Sequence, residues 1–269
     1  MKTRRDGIIL VDKREGETSS DVVRQVKRAL GIRKVGHAGT LDPFATGLLI
    51  ILLGEGTKLS RYVMAGEKTY RAQVGLGVET DTFDLTGHVV QTRAVPALTT
   101  EWVHEKAFQF VGEIEQVPPA FSALKYKGTR AYKLARKGID VELPKRNVTI
   151  HSIAITSLEL PDLTMEVTCS SGTYIRSLAA DLGRRLGTGA HLKALRRLAS
   201  EPFSVEEAID LKDVGQYASD TGLAEKIVPL WRAVAHIEGA QIDARLAAKI
   251  RGGYQPDWSA LPKERRRDG

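Results

Sequence analysis

The sequence has one cysteine, Cys169, and no long apolar run. A single cysteine cannot form an internal disulfide, and it excludes zinc sites built from Cys-x-x-Cys pairs. The longest apolar run, Leu48 to Leu53, is far shorter than the roughly 18 residues of a membrane-spanning helix. The apolar stretch behind the basic N-terminus, Ile8 to Val11, is shorter than the core of a signal peptide. We therefore expect a cytoplasmic protein that makes no membrane contact.

Motifs for nucleotide cofactors are missing as well. No Gly-x-x-x-x-Gly-Lys-Ser/Thr segment occurs, which disfavours a P-loop nucleotidase. Gly75-x-Gly77 lacks the third glycine and the following helix of a dinucleotide site. A dinucleotide cofactor therefore has no support in the sequence. A zinc deaminase is excluded because one cysteine cannot supply Pro-Cys-x-x-Cys.

What the sequence does have is basic charge. Forty Lys and Arg against 33 Asp and Glu leave a net charge of +7, which suits a partner that carries phosphates. Much of the excess lies between Lys125 and Arg146, where Tyr126 and Tyr132 are interleaved with the cations and offer flat faces for bases or sugars. A solvated basic hairpin is the alternative interpretation of that stretch. A second cluster makes nucleic acid the favoured partner: Arg184, Arg185, Lys193, Arg196 and Arg197.

The periodicity of apolar residues and the positions of glycine and proline predict an α+β fold with a mixed sheet and packed helices. Ser20 is predicted to cap a helix that ends at Leu30 before Gly31, and residues 34–47 are predicted to be a loop before a buried strand. The stretch after Pro118 and Pro119 is predicted to be an insertion between two parts of one sheet. The remaining predicted elements are a helix over Thr57–Ala65, a strand over Thr69–Leu76, a helix near Glu101–Val111, strands over Val148–Leu158 and Met165–Cys169, and a helix after Gly172.

Three side chains are candidates for chemistry. Pro43 biases Asp42 toward an extended backbone in a glycine-containing loop, although most Asp-Pro pairs are turn or capping residues. Arg176 falls in the first turn of its helix, where a cation needs an anion such as a buried carboxylate or a phosphate; a carboxylate so paired would have a lowered pKa. A surface position is the alternative for Arg176. Tyr70 is either a core residue or a ring that stacks on a base while its hydroxyl handles a proton.

One long motif is Gly36-His37-Ala38-Gly39-Thr40-Leu41-Asp42-Pro43-x-Ala45-Thr46-Gly47-Leu48-Leu49. It resembles the catalytic motif of the TruB family of tRNA pseudouridine synthases. The resemblance covers roughly residues 7 to 232. Further matching segments are Gly7-Ile8-Ile9-Leu10-Val11-Asp12-Lys13, Lys68-Thr69-Tyr70, Gly77-x-x-Thr80-Asp81-Thr82-x-Asp84, Pro118-Pro119-x-x-Ser122-Ala123-Leu124-Lys125, Gly172-Thr173-Tyr174-Ile175-Arg176, Gly189-Ala190-His191-Leu192 and Leu195-Arg196-Arg197-Leu198.

The resemblance implies isomerisation of uridine 55 in the T arm of tRNA to pseudouridine, without metal or cofactor, by a monomer. It implies that Asp42 is the essential carboxylate, that Tyr70 stacks on the base and accepts a proton, and that Arg176 pairs with Asp42. Tyr174 and Leu195 match residues that line the uridine pocket, and His37 matches a residue that packs against the opened T loop. Residues expected to bind RNA are Lys125, Arg130, Lys133, Arg136, Arg196 and Arg197.

The resemblance also implies domain limits. A catalytic domain is expected over residues 1–235, with a largely antiparallel sheet of the pseudouridine-synthase type and a basic thumb insertion at about 122–147. Residues 236–269 resemble the opening portion of a PUA-type RNA-binding domain. The alternatives are a non-catalytic chaperone that refolds tRNA and a related synthase that acts on ribosomal or small nuclear RNA. Asp42 could attack C1′, add to C6 of the base, or abstract the 2′ proton.

Overall fold

A ten-stranded mixed sheet is the centre of the fold. The computed structural model describes residues 6–122, 124–126, 128–139, 141, 143–214, 225–235, 237 and 240–257. The strands of the large sheet are β1 (Gly7–Lys13), β2 (Val35–Ala38), β3 (Thr46–Leu53), β4 (Lys68–Leu76), β7 (Gly112–Gln116), β10 (Arg146–Glu159), β11 (Asp162–Cys169), β12 (Ala190–Ser200), β13 (Phe203–Ser204) and β14 (Ile209–Asp210). Two short hairpins lie outside it: β5 (Val78–Thr80) with β6 (Val89–Thr92), and β8 (Lys125–Tyr126) with β9 (Thr129–Arg130).

The sheet runs in the order β14, β1, β3, β12, β4, β11, β10, β7, with β2 added to β3 and β13 to β12. Its pairs are antiparallel except β1 with β14 and β3 with β12. The mixed, largely antiparallel sheet expected from the sequence is therefore confirmed. The helices of the described residues are α1 (Ser19–Leu30), α2 (Ser60–Ala65), α3 (Thr100–Phe108), α4 (Ala131–Ala135), α5 (Ile175–Arg185) and α6 (Ala244–Arg251). None of these is long and apolar enough to cross a bilayer.

Helix α1 begins two residues earlier than expected. Its N-cap is Thr18, not Ser20, because the Thr18 hydroxyl accepts from the backbone N–H of Asp21 at 3.1 Å while the Asp21 carboxylate accepts from the backbone N–H of Thr18 at 3.0 Å. Its C-terminal end was predicted correctly: Gly31 follows Leu30 with a left-handed φ of 62°.

The loop expected over residues 34–47 is partly wrong. Val35–Ala38 form β2 and pair antiparallel with β3, from Val35 opposite Leu53 to Ala38 opposite Ile50. Four residues with two small side chains carry too little alternation to be recognised as a strand. The predicted helix at Thr57 also starts differently, since Gly54–Leu59 is a 3₁₀ turn and α-helix begins only at Ser60.

Apolar side chains cover both faces of the sheet. One face of β1 and β3 packs against α1, whereas the other face packs under a 3₁₀ turn at Leu230–Val234 and around Phe203. A larger core lies where α3 and α5 pack against β4, β10, β11 and β12. This packing brings the start of α5, the middle of β4 and β12, and the loop between β2 and β3 together at one place.

The basic insertion at residues 122–147 begins and ends at neighbouring strands, because Gln116 of β7 pairs with Arg146 of β10. It contains the β8–β9 hairpin and α4. Its own small apolar cluster is Ala131, Val141 and Leu143, with Leu124, Tyr126 and Leu134 packed against it. We call residues 122–147 the thumb.

Candidate active site

The loop at residues 39–45 is held from two sides. Lys13, at the end of β1, is buried and its ammonium donates to three backbone carbonyls, including that of Pro43 at 3.1 Å. The Ser19 hydroxyl accepts from the backbone N–H of Leu41 at 2.9 Å, so the start of α1 fixes the other side of the loop. Burial lowers the pKa of Lys13 to about 8. The contacts of Lys13 and Ser19 hold the loop, and with it the carboxylate of Asp42, in place.

Arg176, the second residue of α5, meets that carboxylate. Its Nε lies 3.0 Å from Asp42 Oδ2, and its Nη2 donates to Asp42 Oδ1 at 3.2 Å. Its Nη1 lies 3.3 Å from Asp84 Oδ2 and donates to the carbonyl of Thr82 at 3.1 Å. Nη2 also donates to the carbonyl of Phe121 at 3.0 Å. The guanidinium is 4% exposed, so it is a rigid, buried cation shared between two carboxylates.

The second carboxylate changes the acidity of the first. Burial raises the pKa of Asp42, the charge of Arg176 opposes that rise, and the charge of Asp84 adds to it. Pairing with Arg176 acts to lower the pKa of Asp42, as expected, but desolvation outweighs the ion pair and the net shift of the pKa is upward. Asp42 is consequently more basic than an exposed aspartate.

A cavity of about 470 Å³ opens beside this ion pair. Tyr70 of β4, Leu195 of β12 and Tyr174 before α5 line it together with Asp42 and Arg176. Five of the six residues proposed for catalysis and substrate binding therefore face one space. Three further cations, Lys68, Arg146 and Arg197, line the same cavity.

Tyr70 is held as a neutral phenol. Burial raises the pKa of its hydroxyl, and the charge of Arg197 together with a hydrogen bond from it only partly opposes that rise. Lys68, two residues earlier on the strand, donates to the backbone carbonyls of Met64 and Gly66. Burial lowers the pKa of Lys68 to about 8.

Tyr174 is positioned by its backbone. Gln116 accepts from the backbone N–H of Tyr174 at 2.8 Å and donates to its carbonyl at 3.0 Å, which ties the start of α5 to β7. The guanidinium of Arg146 lies 5.8 Å from the centre of the Tyr174 ring and donates to the carbonyl of Gly172 at 3.1 Å. Leu195 pairs with Ala72 across β12 and β4 and is nearly buried.

A second cavity, of about 820 Å³, lies on the other side of Asp42. His37 lines this cavity rather than the first, opposite Arg130, Tyr132 and Arg136 of the thumb. Burial lowers the pKa of His37, so its imidazole is neutral at pH 7. Asp42 can thus be approached from two openings, one of which has a basic wall.

The residues expected to bind RNA have different surroundings. Arg130, Lys133 and Arg136 are exposed on the thumb. The side chain of Lys125 lies outside the described residues. These three exposed cations are placed as a phosphate-binding surface requires.

The pair on β12 is a different case. Arg196 is engaged by the Asp12 carboxylate through two bonds of 3.0 and 2.6 Å. The side chain of Arg197 is buried and donates to the carbonyls of Leu48 at 2.7 Å and Gly39 at 3.2 Å. Arg197 therefore fastens β12 to β3 and to the loop that carries Asp42, and an RNA contact for it stays a prediction.

Asp84 is the main site residue without a role in the sequence analysis. It stood in a matching segment, but nothing in the spacing of Thr82 and Asp84 showed that they face Arg176 from another part of the chain. Arg176 itself indicated that such a partner exists. A buried guanidinium has more hydrogen-bond donors than one carboxylate can satisfy, so a second acceptor beside Asp42 is expected.

Comparisons with known proteins agree with the sequence motif. Residues 27–175 match the family described as TruB family pseudouridylate synthase, N-terminal domain, and residues 176–240 match the tRNA pseudouridylate synthase B C-terminal domain. The chain is 44% identical over 256 residues to a tRNA pseudouridine synthase B of Syntrophus aciditrophicus, covering 95% of this chain and 82% of that protein. It is 45% identical to one of Syntrophobacter fumaroxidans, covering 94% and 84%.

Solved structures with the same fold include a Cbf5-Nop10-Gar1 complex, with a TM-score of 0.74 and 29% identity over 92% of this chain and 67% of that one. A structure of an H/ACA RNP bound to a substrate RNA containing 2′-deoxyuridine has a TM-score of 0.72 and 27% identity, with coverage of 92% and 67%.

Proposed function

This chain belongs to the TruB family of tRNA pseudouridine synthases, which convert uridine to pseudouridine in tRNA, and from that premise we propose that its target is uridine 55 in the T arm. The observation that carries the proposal is a carboxylate, Asp42, fixed by a buried arginine at the wall of a cavity lined by two tyrosines and a leucine. About 470 Å³ falls within the roughly 300–1,000 Å³ of small-molecule pockets, which suits one everted nucleoside.

The reaction is an isomerisation. The bond from ribose C1′ to base N1 breaks, a bond from C1′ to C5 forms, and a proton leaves C5 while one is gained at N1. Atoms and electrons balance without an oxidant or a co-substrate. Asp42 is the catalytic residue: its carboxylate attacks C1′, adds to C6, or takes the 2′ proton, and each route needs the ionised form. Raised basicity of Asp42 favours all three.

The cavity wall supports the rotation of the detached uracil. The Tyr70 ring stacks on the base, and its hydroxyl accepts the proton from C5 while its own proton passes to N1, so that the phenol ends neutral as it began. Leu195 and Tyr174 close the space around the base and exclude water that would otherwise hydrolyse the activated sugar. His37 packs against the opened loop of the RNA from the second cavity.

The substrate must leave its stack to reach Asp42. Extruding a nucleotide costs a few kcal/mol, and contacts with RNA phosphates can offset that cost. Arg130, Lys133 and Arg136 of the thumb are exposed, and Arg130 and Arg136 line the second cavity, so we assign all three to those contacts.

Pseudouridine mapping on a T-arm minihelix tests the target. We expect one pseudouridine at position 55 with the natural minihelix and none when uridine 55 is replaced by cytidine. Total RNA from a deletion strain should lose the same site and no other. Modification at a different position, or loss of a ribosomal site instead, would overturn the assignment of uridine 55.

The exposed thumb cations also suit a second activity, refolding of the tRNA elbow without chemistry. That activity depends on binding alone, so it should survive Asp42→Asn. A chain that refolds tRNA but forms no pseudouridine in its wild-type form would make the chaperone the whole function.

A further inference from the structure

Phe83 has an unusual backbone. Its φ is 60°, and within the described parts of the chain it is the sole residue other than glycine with positive φ. Such a conformation is uncommon for a bulky side chain and persists only where the surroundings impose it, often at functional sites. Phe83 lies in the turn between β5 and β6.

The two neighbours of Phe83 both contact the same nitrogen. The carbonyl of Thr82 accepts from Arg176 Nη1 at 3.1 Å, and Asp84 Oδ2 lies 3.3 Å from Nη1. Thr82 and Asp84 are two residues apart, and the left-handed backbone of Phe83 between them shapes the turn in which the Thr82 carbonyl and the Asp84 carboxylate both face the guanidinium.

The remaining bonds of the turn hold Asp84 in this orientation. Its Oδ1 accepts from the hydroxyls of Thr82 at 2.8 Å and Thr86 at 2.6 Å and from the backbone N–H of Thr86 at 2.9 Å. Only Oδ2 is left for Arg176. The carboxylate therefore cannot turn away from the guanidinium unless the turn itself moves.

Phe83 is also anchored to the two elements that form the site. Its carbonyl accepts from the backbone N–H of Leu192 at 3.0 Å, which fixes it to β12, the strand of Leu195. Its ring lies 5.2 Å from the guanidinium of Arg184, on the same helix as Arg176. The turn that carries Phe83 therefore contacts α5 at two points, Arg176 and Arg184.

We infer that Phe83 is a positioning residue for the reaction: its left-handed backbone directs Thr82 and Asp84 onto Arg176, which in turn holds Asp42. The inference rests on the proposed function, because the readout is pseudouridine formation. Phe83 does not touch the cavity of Asp42, so its effect on chemistry passes through the arginine.

Two substitutions of similar size separate backbone from side chain. Phe83→Asn and Phe83→Val both remove the ring, but asparagine tolerates the left-handed region whereas a β-branched valine resists it. In single-turnover assays on full-length tRNA we expect Asn within about threefold of wild type and Val at least about tenfold slower, with tRNA Kd unchanged in both. If the Val variant does not fold, Phe83→Leu replaces it, since leucine also disfavours positive φ.

The pH profile gives a readout that a general loss of stability would not move. Asp42 faces Arg176 from α5, Asp84 from the turn and Lys13 from β1. If the turn relaxes in Phe83→Val, Asp84 withdraws, a like charge is lost from the site, and the acid limb of the rate moves to lower pH. The Asn variant should keep the wild-type limb.

Two results would overturn the inference while wild type forms pseudouridine normally. One is equal rates for the Asn and Val variants; the other is a slow Val variant whose acid limb is unmoved or whose defect lies in tRNA Kd. Failure of wild type to modify tRNA at all would instead count against the proposed function.

Discussion

The carboxylate of Asp42 faces charges of both signs. Arg176 holds it through two nitrogens, yet Asp84 shares that guanidinium and burial disfavours the charged form, so the pKa of Asp42 rises. An acid with a raised pKa is a better base once ionised, but it loses its charge sooner as the pH falls. Residue-scale geometry therefore predicts an acid limb to the reaction rate above the usual aspartate range.

Replacing Arg176 by glutamine tests this balance. The half-buried carboxylate of Asp42 and the buried one of Asp84 would then lie near each other without a cation. We therefore expect the acid limb of the single-turnover rate to move to higher pH and the rate at pH 7 to fall by about 10²-fold. The tRNA Kd, measured by filter binding, should stay within about twofold. Because the variant also loses stability, its melting temperature must be recorded alongside.

Asp84→Asn is the matched comparison, since it removes the like charge and keeps the cation. Its acid limb should move to lower pH. The shared ion pair would be contradicted if the acid limbs of the two variants moved in the same direction. It would also be contradicted if a change in tRNA Kd accounted for the whole defect of Arg176→Gln.

At the scale of elements, the site depends on a close approach of two strands. Gly47 of β3 has φ of 97°, and a Cβ built on it would lie 2.3 Å from the backbone oxygen of Arg197 in β12. Only glycine allows these parallel strands to meet here, where the loop with Asp42 enters β3.

Gly47→Ala should therefore destabilise the protein by at least about 2 kcal/mol, from the disfavoured φ and the clash together. Urea unfolding measures this directly. Gly16→Ala is the control: it also has positive φ, but nothing lies within 4 Å of its added Cβ, so it should cost less. Equal losses in the two variants would show that strand approach at Gly47 is unimportant.

The thumb is an element whose role is electrostatic. Lys133 and Arg136 are exposed, and neither lines the 470 Å³ cavity. Changing both to glutamate should weaken tRNA binding and lower the slope of log K against log salt by about 1 for each lost phosphate contact. Chemistry from the bound state should be nearly unchanged.

A matched control for the thumb is charge reversal at Lys193, an exposed cation that is paired with Asp162. Its salt slope should equal that of wild type. An unchanged slope in the Lys133 and Arg136 variant would remove the thumb from the RNA interface.

Across the whole molecule, local features could be predicted from the sequence better than contacts between distant segments. The mixed sheet, the buried strand Leu48–Leu53 and the end of α1 follow from runs and glycines that act locally. The partnership of Arg176 and Asp42 was also within reach, since an arginine in a first helical turn needs an anion.

Features that depend on tertiary packing were missed. Neighbouring residues of a strand face opposite sides, so Arg196 and Arg197 could not both be surface cations, yet the sequence alone does not say which one turns inward. Asp84 reaches Arg176 from a turn far away in the chain. The upward shift of the Asp42 pKa depends on burial and on the charge of Asp84, and the sequence motif predicts neither.

The proposed function requires the Asp42 carboxylate for chemistry. The most direct test is a single-turnover assay of pseudouridine formation on a T-arm minihelix with wild type, Asp42→Asn and, as a control carboxylate on the surface, Asp162→Asn. We expect normal conversion by wild type and Asp162→Asn, and none by Asp42→Asn despite unchanged minihelix binding. Pseudouridine formed by Asp42→Asn would contradict that requirement.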